Sequence, residues 1–173
     1  MGLKILELDE DLQSELQPGV VALESGVRYP IGEDFFEIDH GRDYFAFFRR
    51  MGEVSPVVVQ DNGTVVGMGV GVLRRLSTDP DASIRSAWYV GDLKIHPEYR
   101  GRRLPWRLFL HVFPRKYPVC GRGYGISMNP SGDRENPVVR MLKRFSLAPI
   151  SIGCQLEFYT LEADQMRELA GVV

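Results

Sequence analysis

Between positions 88 and 109 the chain reads WYVGDLKIHPEYRGRRLPWRLF, and this run gathers the residue types best suited to chemistry. Arg100, Arg102 and Arg103 stand around Gly101, and Pro105 follows where a helix would begin. A proline at the first helical position gives up an N–H that has no intrahelical acceptor, and the neighbouring N–H groups are left unpaired. Orphan donors, the positive end of a helix dipole and guanidinium groups together suit an oligophosphate. A solvated turn is the plainer reading of any charge run, but the position after a strand and before a helix favours phosphate contact.

Asp92 lies just ahead of that turn. Trp88 and Val90 share one phase of a strand, while Leu93 and Ile95 take the opposite phase. The slip at Gly91 and Asp92 predicts a β-bulge. A carboxylate on a bulge can accept a proton from a nucleophile, or it can simply satisfy nearby amides. His40, His96 and His111 have no Ser, Cys or carboxylate at a telling spacing, so none is assigned to catalysis. Cys120 and Cys154 fit neither a metal-ligand nor a CxxC spacing, so no metal is expected, and free thiols suit a reducing cytoplasm.

Around this centre the elements follow in order. Residues 3–8 predict a first strand, and 9–28 carry helical signals interrupted by Pro18 and Gly19. Phe35, Phe36, Ile38, Phe45, Phe47 and Phe48 predict an amphipathic helix over 33–50, with Gly41 a point at which it breaks in two. Asn62-Gly63 between β-branched runs predicts a hairpin joining 57–60 to 64–73. Gly67, Gly69 and Gly71 leave one face of its second strand bare, for close packing. After the central strand come a helix over 105–113, a turn at Pro114 and Pro118, and a glycine-rich strand over 119–128. That order predicts a parallel crossover. Asn136 and Pro137 predict the start of a helix reaching about 145, 150–158 alternates as a half-buried strand, and 162–170 predicts a terminal helix.

The 173 residues fit one domain, 1–173, able to bury a core without disulfides or metal. With 44% apolar and 25% charged residues the composition is that of an ordinary soluble protein, and a net charge of -2 argues against general nucleic-acid binding. No segment approaches the roughly 20 apolar residues needed to cross a bilayer, and the N-terminus lacks a signal-peptide run. A cytoplasmic protein without a membrane partner is expected.

The run DLKIHPEYRGRRLP resembles the acyl-CoA signature of the GNAT superfamily of N-acetyltransferases, in which a bulged strand leads into Gln/Arg-x-x-Gly-x-Gly/Ala and a helix. Arg100 matches the first position, and Leu93, Ile95 and Pro97 match the lead-in. Arg103 and Pro105 replace the first glycine and the following glycine or alanine. The order of elements is similar to the family's from end to end. The resemblance implies an α/β fold with a mixed sheet of about six to seven strands, splayed central parallel strands and about four helices. It implies acetyl-CoA as co-substrate, held by Leu93, Lys94 and Ile95 along the splay and by Arg100, Gly101, Arg102, Arg103, Leu104, Pro105 and Trp106 at the turn. Asn136 would add a contact, although helix capping is its plainer reading.

The same resemblance places Asp92 as the base. Leu142 falls where many members have a tyrosine acid, which leaves Ser127 or Tyr124 to protonate the thiolate, or no dedicated acid. The implied reaction is acetyl transfer by direct attack of an amine, in a small molecule or a protein, within a ternary complex. Glu24, Glu33, Asp34, Glu37 and Asp39 crowd the stretch that walls the acceptor cleft in this fold, which fits either a cationic acceptor or ordinary surface charge. A longer acyl donor on CoA or acyl carrier protein, and a non-catalytic acyl-CoA-binding module, are the alternatives. A homodimer is compatible with the fold.

Overall fold

The computed structural model describes residues 2–25, 27–31, 34–77, 83–127, 137–144, 150–151, 153–154 and 162–171. The chain divides into two compact units, Met1–Asn136 and Pro137–Val173. The first contains a five-stranded sheet in the order β1-β4-β5-β6-β7, from β1 (Lys4–Glu7), β4 (Glu53–Asp61), β5 (Thr64–Ser77), β6 (Ile84–Ile95) and β7 (Gly123–Tyr124). Every neighbouring pair is antiparallel except β6 and β7, which run parallel as the helix-then-strand order predicts.

The helix α1 (Glu10–Glu24) starts at Asp9, whose carboxylate accepts the Leu12 N–H at 2.9 Å, and Glu10 and Asp11 complement the dipole of its first turn. It runs unbroken through Pro18 and Gly19, against the expected interruption. The reason is tertiary: Val20 and Leu23 are buried in the core, and a Cβ on Gly19 would lie 2.8 Å from a methyl of Val65. Glycine here allows helix and sheet to approach closely.

The helix expected over 33–50 is mostly something else. Tyr29–Ile31 (β2) and Asp34–Phe36 (β3) pair as a separate two-stranded hairpin, Gly41 turns at φ 68°, and only Ala46–Met51 (α2) is helical. Aromatic residues at 35 and 36 fit a strand as well as a helix, and periodicity could not separate the two.

The hairpin of β4 and β5 forms as predicted, with Asn62 at φ 49° and Gly63 at φ 83°, the left-handed pair of a type I′ turn. The bulge in β6 is also present: Val70 faces Gly91 and Met68 faces Lys94, so Asp92 and Leu93 together oppose Gly69. Asp92 itself adopts φ 54°. This extra residue returns Leu93 and Ile95 to the face of Trp88, and those three side chains lie over the bare glycines of β5. Tyr89 packs on the opposite face, with the α1 and α2 core of Val20, Leu23, Phe45, Phe48, Met68 and Val70. A smaller core of Val57, Val59, Val66, Leu104 and Leu108 lies under α3 (Leu104–Lys116).

The helix α3 continues past Pro114, because the Tyr117 N–H closes on Phe113 O at 2.9 Å and one missing donor near the end costs little. The N–H groups of Val119 and Cys120 both bond Lys116 O at 3.2 Å, so they belong to the helix exit. The strand expected over 119–128 is correspondingly reduced to β7. In the second unit, α4 (Pro137–Lys143) and α5 (Ala163–Ala170) fall where helices are predicted. Asn136 and most of the expected strand 150–158 lie outside the described residues. Among those residues there are seven strands and five α-helices, a mixed α/β fold. No helix among them is long and apolar enough to cross a membrane.

Candidate active site

The two faces of the β6 bulge carry different chemistry. On the α1 face, Lys94 is buried, its side chain only 3% exposed. A buried ammonium must be paired, and all three of its protons are used, on Glu24 Oε2, Asp92 Oδ1 and Tyr44 Oη. The Tyr44 hydroxyl stands 2.7 Å from Glu24 Oε2 and 2.7 Å from Asp92 Oδ2, so its one proton can be given to either carboxylate. Gln17 of α1 holds Tyr44 in place by accepting its N–H at 3.2 Å and donating to Arg42 O at 2.5 Å.

Burial, the charge of Asp92 and hydrogen bonds to Glu24 and Asp92 raise the Tyr44 phenol far above its ordinary value. Tyr29, whose hydroxyl is 3.4 Å from Glu24 Oε1, is raised by burial and by the Glu24 charge, and Tyr89 by burial and by Asp92. All three remain neutral. His40 stacks on Tyr44 with ring centroids 4.1 Å apart, and its buried Nδ1 has no hydrogen-bond partner among the described residues, 3.9 Å from Glu24 Oε1.

Glu24, His40 and Asp92 offer ligand atoms within 4.8 Å of one another, the geometry of a metal triad. The Lys94 ammonium already rests on both carboxylates, so an internal cation holds that position.

At the C-terminal end of β6 the arrangement reverses. The His96 N–H bonds Val66 O at 2.9 Å, ending the strand, and residues 97–99 make one 3₁₀ turn. Tyr99 donates to Asp61 Oδ2 at 2.7 Å, which ties the turn to the β4–β5 hairpin and raises the phenol. The Arg102 guanidinium lies 4.5 Å over the Tyr99 ring. Arg100, Gly101, Arg102 and Arg103 are exposed, and neither Arg100 nor Arg103 has an ion pair among the described residues. Gly101 has φ 76° and Arg103, the residue before α3, has φ 57°. Arg103 thus keeps the left-handed backbone a glycine would take, at a cost of about 1 kcal/mol. Pro105 is the second helical residue, one later than predicted but still within the first turn. Leu104, fully buried, anchors that turn on the sheet, and Trp106 is half-buried beside it.

Ahead of the bulge the parallel ladder is short. Trp88 pairs with Gly123 and Tyr89 with Tyr124, and there the pairing of β6 with β7 stops, immediately before the bulge. A Cβ on Gly125 would lie 2.6 Å from Val90 O, so glycine is needed where the two backbones meet.

Of the residues singled out in sequence, Asp92 and Lys94 meet in the buried cluster, Leu93 and Ile95 face the α3 core, and the residues from Arg100 to Trp106 form the turn and helix start. Ser127 is exposed, three residues beyond β7, and Tyr124 accepts a hydrogen bond from Arg74. Neither joins the cluster. Glu24 turns inward, Glu37 pairs with Arg28 at 3.5 Å and Asp39 accepts the Gly41 N–H at 2.7 Å, so these three carboxylates are already engaged. Sequence reasoning missed Tyr44, placed Glu24 only in an acceptor wall and gave His40 no role. The available signal was Lys94 itself, a charge between the apolar Leu93 and Ile95 of the central strand that demanded buried partners.

No protein-family model matches the sequence, and no curated protein sequence matches it. Solved structures do. An aminoglycoside acetyltransferase from an uncultured soil metagenomic sample aligns with a TM-score of 0.61 at 15% identity, covering 92% of this chain and 97% of that one. AAC(6')-Iy, solved with the bisubstrate analogue CoA-S-monomethyl-acetylneamine, aligns at 0.58 and 11% identity over 94% of this chain and 100% of its own. Glucosamine-6-phosphate N-acetyltransferase from Arabidopsis thaliana aligns at 0.52 and 16% identity over 91% and 100%. The bulged strand, basic turn and helix of this chain therefore belong to a fold shared with the GNAT superfamily of N-acetyltransferases.

Proposed function

We propose that the protein is a GNAT-type N-acetyltransferase that moves an acetyl group from acetyl-CoA to an amine of a small molecule or a protein. The observation that carries this reading is the continuous path from the bulge at Asp92 to the exposed arginine turn and the N-terminus of α3, beside a parallel ladder that stops at Tyr89 and Tyr124. The turn would hold the cofactor's pyrophosphate through Arg100, Arg102, Arg103 and the N–H groups of Gly101 and Leu104. The gap beyond the ladder would receive the pantetheine arm along Leu93, Lys94 and Ile95. Bulge amides would polarise the thioester carbonyl, and Asp92 would receive the proton of the attacking amine.

Structural neighbours named as aminoglycoside, glucosamine-6-phosphate and ribosomal-protein-alanine acetyltransferases support an amine acceptor in general. Incubation with acetyl-CoA and a panel of aminoglycosides, amino sugars, polyamines and peptides, followed by release of the CoA thiol and a mass gain on the acceptor, tests the reading. Acetylation of a panel member is expected, and acetyl-CoA binding without transfer to any amine would favour the non-catalytic module.

A further inference from the structure

We propose that Tyr44, Glu24 and His40 form a proton relay that carries the acceptor's proton away from Asp92; this rests on the acetyltransferase reading above. An alkyl ammonium must lose a proton before it attacks a thioester, and the base that takes it must be emptied before the next turnover. Asp92 is placed to pass that proton inward. Its Oδ2 is 2.7 Å from Tyr44 Oη, which is 2.7 Å from Glu24 Oε2. Lys94 donates into the same phenol oxygen, so the phenol's own hydrogen must point at one of the two carboxylates.

The step balances without a free phenolate. The ammonium N–H breaks and a carboxyl O–H forms on Asp92. That proton moves to Tyr44 Oη as the phenol's original proton moves to Glu24, leaving Tyr44 unchanged and Asp92 ionised. Glu24 turns its carboxyl to present the proton at Oε1, the unpartnered Nδ1 of His40 closes the 3.9 Å to take it, and the half-buried imidazolium gives a proton to water, which restores the relay. When the neutral amine attacks, its N–C bond forms, the C–S bond breaks, and the remaining excess proton leaves with the thiolate.

The raised phenol of Tyr44 agrees with this role, since a relay hydroxyl must stay protonated at rest. Among the described residues the groups facing the relay are Tyr29 from β2, Tyr89 and Lys94 from β6, and the relay residues themselves. Lys94 balances one of the two carboxylate charges, and the proton in transit balances the other.

The test compares acceptors that need the relay with acceptors that do not. Primary amines are each paired with an aminooxy analogue of the same size that is neutral at pH 7, phenethylamine with O-benzylhydroxylamine among them, and rates are measured for wild type, Tyr44→Phe and Glu24→Gln. With the alkylamine, kcat should fall about 10²-fold in either variant at neutral pH, recovering as the pH is raised, with KM little changed. With the aminooxy partner, rates should stay within about twofold of wild type. Equal loss on both members of a pair, or no loss on either, in the two variants would overturn the relay while leaving the enzyme reading intact. Wild-type protein that acetylates no member of the set would overturn both.

Discussion

Two charged regions, one on β6 and one in the turn that follows it, treat charge in opposite ways. Around Lys94, an ammonium and two carboxylates are withdrawn from water and consume one another's hydrogen-bonding capacity. At residues 100–103, three guanidinium groups stand in solvent on a left-handed turn, and two of them have no acidic partner among the described residues. Burial forces pairing, because an unpaired buried charge costs several kcal/mol, whereas an exposed charge can wait for a ligand. The first region should therefore matter to stability and proton movement, and the second to binding.

The largest test of this contrast is Lys94→Met. It leaves Glu24 and Asp92 facing each other in a buried site without their cation, and unfolding by denaturant should show a loss of about 3 kcal/mol. A loss below about 0.5 kcal/mol would mean that the cluster is not a closed electrostatic unit.

Alkaline pH probes the same cluster without a mutation at the charge. The folded-state value of the Tyr44 phenol lies above its ordinary 10.0, so the folded chain holds this proton more tightly than the unfolded chain does. Its contribution to stability is fully present below that ordinary value and is lost as the pH rises beyond it toward the folded value. Thermal unfolding followed across that range should show a declining melting temperature whose slope is shallower in Tyr44→Phe, the remainder coming from the other raised phenols; an unchanged slope would show that the Tyr44 phenol contributes nothing.

The smallest expected effect is at the turn. Arg103→Gly removes a side chain from the left-handed backbone at φ 57° and should stabilise the protein by about 1 kcal/mol, while withdrawing one guanidinium from any bound phosphate. Gain of stability with loss of acetyl-CoA affinity would separate the fold's interest from the ligand's. Loss of stability would show that the arginine side chain is structural.

The sequence made local features readable and left tertiary ones hidden. Asn62-Gly63 announced its turn because only certain residues tolerate two left-handed positions in succession. The phase slip between Val90 and Leu93 announced the bulge, because side chains alternate strictly along a strand. Glu24 of α1, Tyr44 in the turn before α2 and Lys94 of β6 are widely separated along the chain, and no short-range pattern links them. The continuity of α1 through Pro18 was hidden for a related reason. Gly19 suits its close approach to Val65, a contact that exists only once helix and sheet are packed. Of the acidic residues that looked like a cationic-acceptor wall, Glu24 is internal, while Glu37 and Asp39 are exposed and engaged by Arg28 and by the Gly41 N–H.

The measurement that bears most directly on the contrast is calorimetric titration with acetyl-CoA of wild type and an Arg102→Ala, Arg103→Ala double variant, with the unfolding midpoint of each recorded alongside. The expected result is micromolar binding by wild type, weakened at least about tenfold in the double variant, whose unfolding midpoint does not fall. Absence of binding in wild type, or equal binding by both proteins, would contradict a phosphate-binding role for the turn.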